Sequence, residues 1–225
     1  MEMDYCEWII LSDIELNLCI RLLGLKYWTD FPVAEDEQGA EQQILNAFLH
    51  LVNIGLIECA ERQFCCTKRM KNLLFPVLHV YFKWEILLNE KTYITIYEEG
   101  NQDTVIKSVY SQPTQRGICV IPHDRFPEIL LGFVSDAFED DVKSKINDFT
   151  EVTHEVEDTH SQPNPRVKVV CASSRICRSA EIFFRSCQLY MIIEGVIQQF
   201  NLQYIIDYLK GENNSDYNQC SLHGT

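Results

Sequence analysis

The most reactive side chains in the sequence are its ten cysteines: Cys6, Cys19, Cys59, Cys65, Cys66, Cys119, Cys171, Cys177, Cys187 and Cys220. A thiol nucleophile needs a histidine to take its proton and an acid to orient that histidine. One place approaches this arrangement. Cys119 stands on an apolar stretch that runs into His123-Asp124. A core thiol at Cys119 and a helix cap at Asp124 account for those residues without chemistry. A zinc site needs several ligands at short spacing, and the sequence has no C-x-x-C and no H-x-x-x-H. The adjacent Cys65 and Cys66 would point to opposite faces of a strand. Cys59 and Cys65, like Cys171 and Cys177, are separated by five residues, which is not a usual zinc spacing. His154 and His160 lie beside Glu155, Glu157 and Asp158, a pattern that reads as a solvated charge run. With nine glycines there is no phosphate-cradling loop. The sequence therefore predicts no catalytic residues, no cofactor and no metal, and the expected role is non-enzymatic binding.

Charge narrows the partners. The chain has 225 residues, with 19 basic and 33 acidic side chains and a net charge of −14. Phosphate backbones and anionic membranes repel such a chain unless its cations cluster. Hydrophobic residues make up 46%, enough to fold, and no stretch reaches the roughly 18 uninterrupted apolar residues of a membrane span. The first residues are acidic, unlike an export signal, which begins basic and turns apolar. The expectation is a cytoplasmic protein with free, mostly buried thiols, no membrane partner and no nucleic-acid partner.

The elements that would position these residues begin at Ser12. Ser12 and Glu15 form a capping-box pair ahead of an apolar face of Ile14, Leu18 and Leu22, with Gly24 as the stop. A loop with Pro32 and Glu35-Asp36-Glu37 follows. A second helix starts near Ala40, with Ile44, Leu45, Phe48, Leu49 and Val52 at helical spacing, and ends at Asn53-Ile54-Gly55. Two short strands around 56–59 and 64–67 form a hairpin. A third helix starts near Lys68, is interrupted at Pro76 and extends towards Leu88. Helix, helix, hairpin is the plan of a winged helix. From Tyr27 to Glu61, however, there are seven acidic residues and no Lys or Arg. The helix in the recognition position could offer only Glu41, Gln42, Gln43, Asn46 and His50, with no cation for phosphate. A packing module is the expectation.

From Lys91 the apolar period changes to two. Strands at 91–97, 104–110 and 117–121 precede a helix with Ile129, Leu130, Phe133 and Val134. The plan recurs with strands at 166–171, 180–185 and 189–193, then a helix capped by Asn201 and stopped by Gly211. The predicted fold is α+β. A winged-helix-like segment over 1–90 leads to a strand-strand-strand-helix repeat over 91–138. An acidic linker over 139–165, with a helix over 141–149, separates this from a second repeat over 166–211. A disordered tail over 212–225 ends the chain. Antiparallel meanders with helices and a pseudo-two-fold relation are the simplest arrangement. Tyr93 and Tyr97 share one face of their strand, and Tyr110 lies on the next strand. If no helix covers that face, the three rings form a partner-binding patch with polar tips. If both faces are covered, they belong to the core.

The succession of features resembles the EspG family, cytosolic chaperones of type VII (ESX) secretion. The resemblance runs from the capped segment Leu11-Ser-Asp-Ile-Glu-Leu-Asn-Leu-Cys-Ile-Arg-Leu-Leu-Gly through Leu51-Val-Asn-Ile-Gly-Leu-Ile-Glu, a hairpin, a helix with Leu73-Leu74, and the two repeats. It implies a pseudo-two-fold fold that keeps an aggregation-prone helical secretion substrate soluble. The mycobacterial members hold paired helical proteins of the PE–PPE type. This chain is shorter, richer in Cys, Asn and Ile, and poorer in Gly, so the substrate is left open. The alternative is a winged-helix transcriptional regulator whose repeat domain senses a ligand.

Overall fold

The computed structural model describes residues 7–25, 40–88, 91–109, 112–135, 138, 166–185 and 188–212. The fold is α+β, framed by antiparallel strands, as the sequence predicts. Two compact units divide the chain: one combines Glu2–Tyr81 with Ile94–His123, and the other combines Phe82–Tyr93 with Asp124–Thr225. The linker at 139–165 with its helix at 141–149, the tail beyond Glu212, Tyr110, His154 and His160 lie outside the described residues.

In the first unit, β1 (Ile9–Ser12) runs directly into α1 (Asp13–Leu22). The capping box forms as expected: Glu15 N donates to Ser12 Oγ at 3.2 Å and Ser12 N donates to Glu15 Oε2 at 2.6 Å. Gly24 follows the helix with φ +95°, the conformation a left-handed stop requires. Next come α2 (Ala40–Asn53), the hairpin β2 (Ile57–Ala60) and β3 (Gln63–Cys66), and α3 (Lys68–Leu78). The hairpin turns through Glu61 and Arg62, both at positive φ, which matches the twist of its strands. Pro76 does not break α3, which continues to Leu78.

β5 (Lys91–Glu98), β6 (Gln102–Val109) and β7 (Gln112–Pro122) follow the predicted meander. β1 adds to them by pairing Ile9–Ser12 with residues 115–118 of β7, giving the order β1-β7-β6-β5. Arg116 fixes the β1–α1 junction, donating to Asp13 Oδ1 at 2.8 Å and to Ser108 Oγ at 2.7 Å. Thr104 Oγ1 donates to Leu73 O at 2.7 Å and ties β6 to α3. The core joins Leu16, Cys19 and Ile20 of α1, Leu51 of α2, Met70 and Leu74 of α3, and Tyr97, Ile106 and Ile118 of the strands.

In the second unit, β4 (Phe82–Leu88) replaces the expected end of the third helix. Phe82, Trp84 and Ile86 are buried in alternation, which is strand spacing, and the segment pairs with β8 (Arg166–Ala172). After a 3-10 turn at His123–Arg125, α4 covers 126–135. Asp124 sits inside that turn and not at a cap. β9 (Cys177–Arg185), β10 (Gln188–Ile193) and β11 (Val196–Gln199) lead to α5 (Leu202–Lys210). β11 extends the expected three strands to four, and the unit's strand order is β4-β8-β9-β10-β11. Asn201 caps α5 by accepting from Tyr204 N, and Gly211 ends it at φ +78°, both as predicted. Trp84 and Phe126 pack with ring centres 4.8 Å apart, and Lys210 Nζ lies 5.9 Å from each.

The tyrosine patch does not form as drawn. Tyr97 is 3% exposed and sits in the core with Ile106 and Ile118, and Tyr93 is half-buried. On the opposite face of these strands Ile94, Ile96 and Val105 are also buried. Both faces are therefore covered, and the helices that cover the Tyr97 face include α1 and α3.

Candidate interaction surface

The unusual element is α2. Its sequence AEQQILNAFLHLVN places Ala47 and Leu51 on one line, and both are buried. At 3.6 residues per turn, Ile44, Phe48, Val52, Leu45 and Leu49 then spread over a further arc of about 140°. Apart from Phe48, which is partly buried against the core, that arc is exposed. Ile44 is 43% exposed, Leu45 49%, Leu49 50% and Val52 38%. Phe64 of β3 extends the arc. It is 53% exposed and meets Phe48 edge-on, with ring centres 4.7 Å apart. The hairpin holds Phe64 there because Cys59 is its cross-strand partner, two residues along from the buried pair Ile57 and Cys66. The apolar pattern of α2 was visible in the sequence. That most of it faces water was not, because period reports a face and not its cover.

The other side of α2 is polar. Gln42, Gln43 and Asn46 are exposed, and Gln42 Nε2 donates to Asn46 Oδ1 at 2.9 Å. His50 Nδ1 lies 2.5 Å from Glu15 Oε1, whose second oxygen is held by the capping box. A cavity of about 370 Å³ opens there, lined in part by Ser12, Glu15, Gln43, Asn46, His50 and Gln115. The pair orients the imidazole, and among the described residues no cysteine lines this cavity. Ser12 Oγ is engaged by Glu15 N.

A second titratable group stands at the β5–β6 turn. Glu98 and Asp103 are cross-strand partners and both are buried. His123 lies between them, with Nδ1 3.0 Å from Asp103 Oδ2 and Nε2 3.7 Å from Glu98 Oε1. Cys119 is buried in the strand that leads to His123. Cys19, Cys66 and Cys171 are buried too, whereas Cys59 near the hairpin turn and Cys177 at the start of β9 are exposed. The hydrogen bond with the Cys66 thiol, and then burial, push the Cys19 thiol upward, so it stays protonated. Cys66 Sγ in turn donates to Cys19 O. Among the described residues, no three His, Cys, Asp or Glu side chains are grouped as metal ligands. No described helix is long and apolar enough to cross a membrane.

Set beside known proteins, the chain matches no family model and no curated protein sequence.

Proposed function

We propose that this chain is a non-enzymatic binding protein of the cytoplasm, an EspG-like chaperone or adaptor that holds a helical type VII secretion substrate. The apolar arc of α2 with Phe64 carries this reading. Contiguous large apolar side chains left in water mark a partner site. A helix stripe of this width fits the apolar face of a second helix. The succession of elements adds support. β5–β7 precede α4 and β8–β11 precede α5, next to the three strands and a helix that the resemblance expects twice. The partner surface in this reading is Ile44, Leu45, Leu49, Val52 and Phe64, in place of Tyr93, Tyr97 and Tyr110.

The test is capture from native cytosol with the full chain, wild type against Leu45→Asp/Leu49→Asp. A small helical export substrate held by the wild type and lost from the variant is the expected result. Identical capture by both would sink the assignment of this surface. Recovery of no helical export substrate by either would end the chaperone reading.

A second reading rests on the order α1, α2, β2–β3 hairpin, α3, the plan of a winged-helix regulator. In it, Gln42, Gln43, Asn46 and His50 would read bases, with no cation on α2 to dock phosphate. Gel shifts on genomic fragments at low salt separate the two. A shift abolished by Gln43→Ala/Asn46→Ala would favour the regulator.

A further inference from the structure

We infer that Cys19 and Cys66 are a peroxide-sensitive thiol pair, which closes to a reversible disulfide and ties α1 to the β2–β3 hairpin. The two thiols stand 47 residues apart in sequence and meet in the core of the first unit, where both are 0% exposed. They are hydrogen-bonded to each other, and Cys66 Sγ also donates to Cys19 O at 3.5 Å. Cys65, the neighbour of Cys66 on β3, points to the other face of the strand. The paired thiols are not equivalent. The hydrogen bond from Cys19, and after it the charge of Lys71, lower the Cys66 thiol against the opposing effect of burial. Cys19 is raised by the same hydrogen bond and stays protonated. A thiolate is the nucleophile and a neighbouring thiol resolves its product, so Cys66 attacks and Cys19 follows. The Cys66 thiolate breaks the O–O bond of hydrogen peroxide, becomes a sulfenic acid and releases hydroxide. The Cys19 sulfur then attacks the Cys66 sulfur, the S–O bond breaks and a second hydroxide leaves. The protons of the two thiols turn both hydroxides into water, and two electrons pass from the sulfurs to the peroxide oxygens.

Peroxide needs an opening to reach these thiols, and the hairpin provides one. It is a two-stranded sheet of its own, exposed from Glu58 to Phe64 and anchored at its base by the buried Ile57 and Cys66. A ribbon of that size is marginal alone and opens locally before the unit unfolds. The disulfide removes that motion. It joins the hairpin to α1, encloses α2 in the loop and holds Phe64 beside Phe48. Exchange with a small-molecule thiol reverses it.

The experiment treats the full, reduced chain with hydrogen peroxide under native conditions, at a dose that oxidises the exposed Cys59 and Cys177. Peroxide is removed, the remaining thiols are capped with iodoacetamide in urea, and linked peptides are mapped by mass spectrometry without reduction. The expected product is a single chain, lighter by two hydrogens at a Cys19–Cys66 link. Its urea midpoint is higher than that of the reduced chain, because a closed loop restricts the unfolded state, and dithiothreitol restores the lower value. In Cys19→Ala the resolving thiol is gone. Cys66 should then stop at the sulfenic acid, which dimedone labels, and peroxide should not raise the midpoint. Cys59→Ser/Cys177→Ser changes only exposed positions and should form the same link as the wild type. Recovery of Cys19 and Cys66 as capped thiols would overturn the inference. So would a link from either to any other cysteine, a link that forms only in urea, or a linked chain whose midpoint is unchanged.

Discussion

Two carboxylates that face each other across a strand pair destabilise it unless something stands between them. Glu98 and Asp103 are such a pair, 5% and 0% exposed, and His123 approaches both. Removing the imidazole takes a partner from each carboxylate at once. His123→Ala is expected to lower stability by about 2 kcal/mol, read as a lower urea midpoint at an unchanged slope. In the double variant Glu98→Gln/His123→Ala one of the opposed charges is gone. Its loss is expected to be smaller than that of His123→Ala alone, by about 1 kcal/mol. A double variant at least as unstable as the sum of the two single losses would show that His123 does not offset the carboxylates. Thr104 makes a simpler case. Its hydroxyl donates to Leu73 O in a fully buried setting. Thr104→Val leaves that carbonyl short of a donor and should cost about 1–3 kcal/mol in the same assay.

At the scale of elements, α1 is held by both ends of its capping box. Ser12→Ala removes one oxygen from Glu15 N and should cost about 1 kcal/mol. Glu15→Ala is expected to cost more, because the carboxylate serves Ser12 N and His50 together. Thermal denaturation that ranks the two in the opposite order would refute that account. Caps of this kind were legible in the sequence because they are local: Ser12–Glu15, Gly24, Asn201 and Gly211 all stand where their types require. What was missed is non-local. β1 is four residues long and adjoins an apolar helix, and its partner Ile118 lies more than 100 residues along the chain. β4 follows α3 so closely that Trp84, Leu87 and Leu88 also fit a helical count, and only pairing with β8 decides the matter. Tyr97 alternates as a surface residue would, and its burial comes from α1 and α3 packing over Ile106 and Ile118. The α2 arc failed in the opposite sense. Its spacing defines an apolar face, but a periodic face says nothing about whether other elements cover it.

At the scale of the whole molecule, the net charge of −14 acts on stability. Self-repulsion among 33 acidic groups, partly offset by 19 basic ones, favours expansion of the chain. Raising sodium chloride towards about 1 M shortens the screening length to about 3 Å and weakens that repulsion. The urea midpoint is therefore expected to rise with salt. Apolar contacts made by the exposed Leu45, Leu49 and Phe64 are not screened, so partner capture through them should persist at high salt. Leu49→Asp is exposed in the free chain and should leave the midpoint nearly unchanged while removing that capture. A midpoint that falls with salt would remove self-repulsion as a determinant of stability.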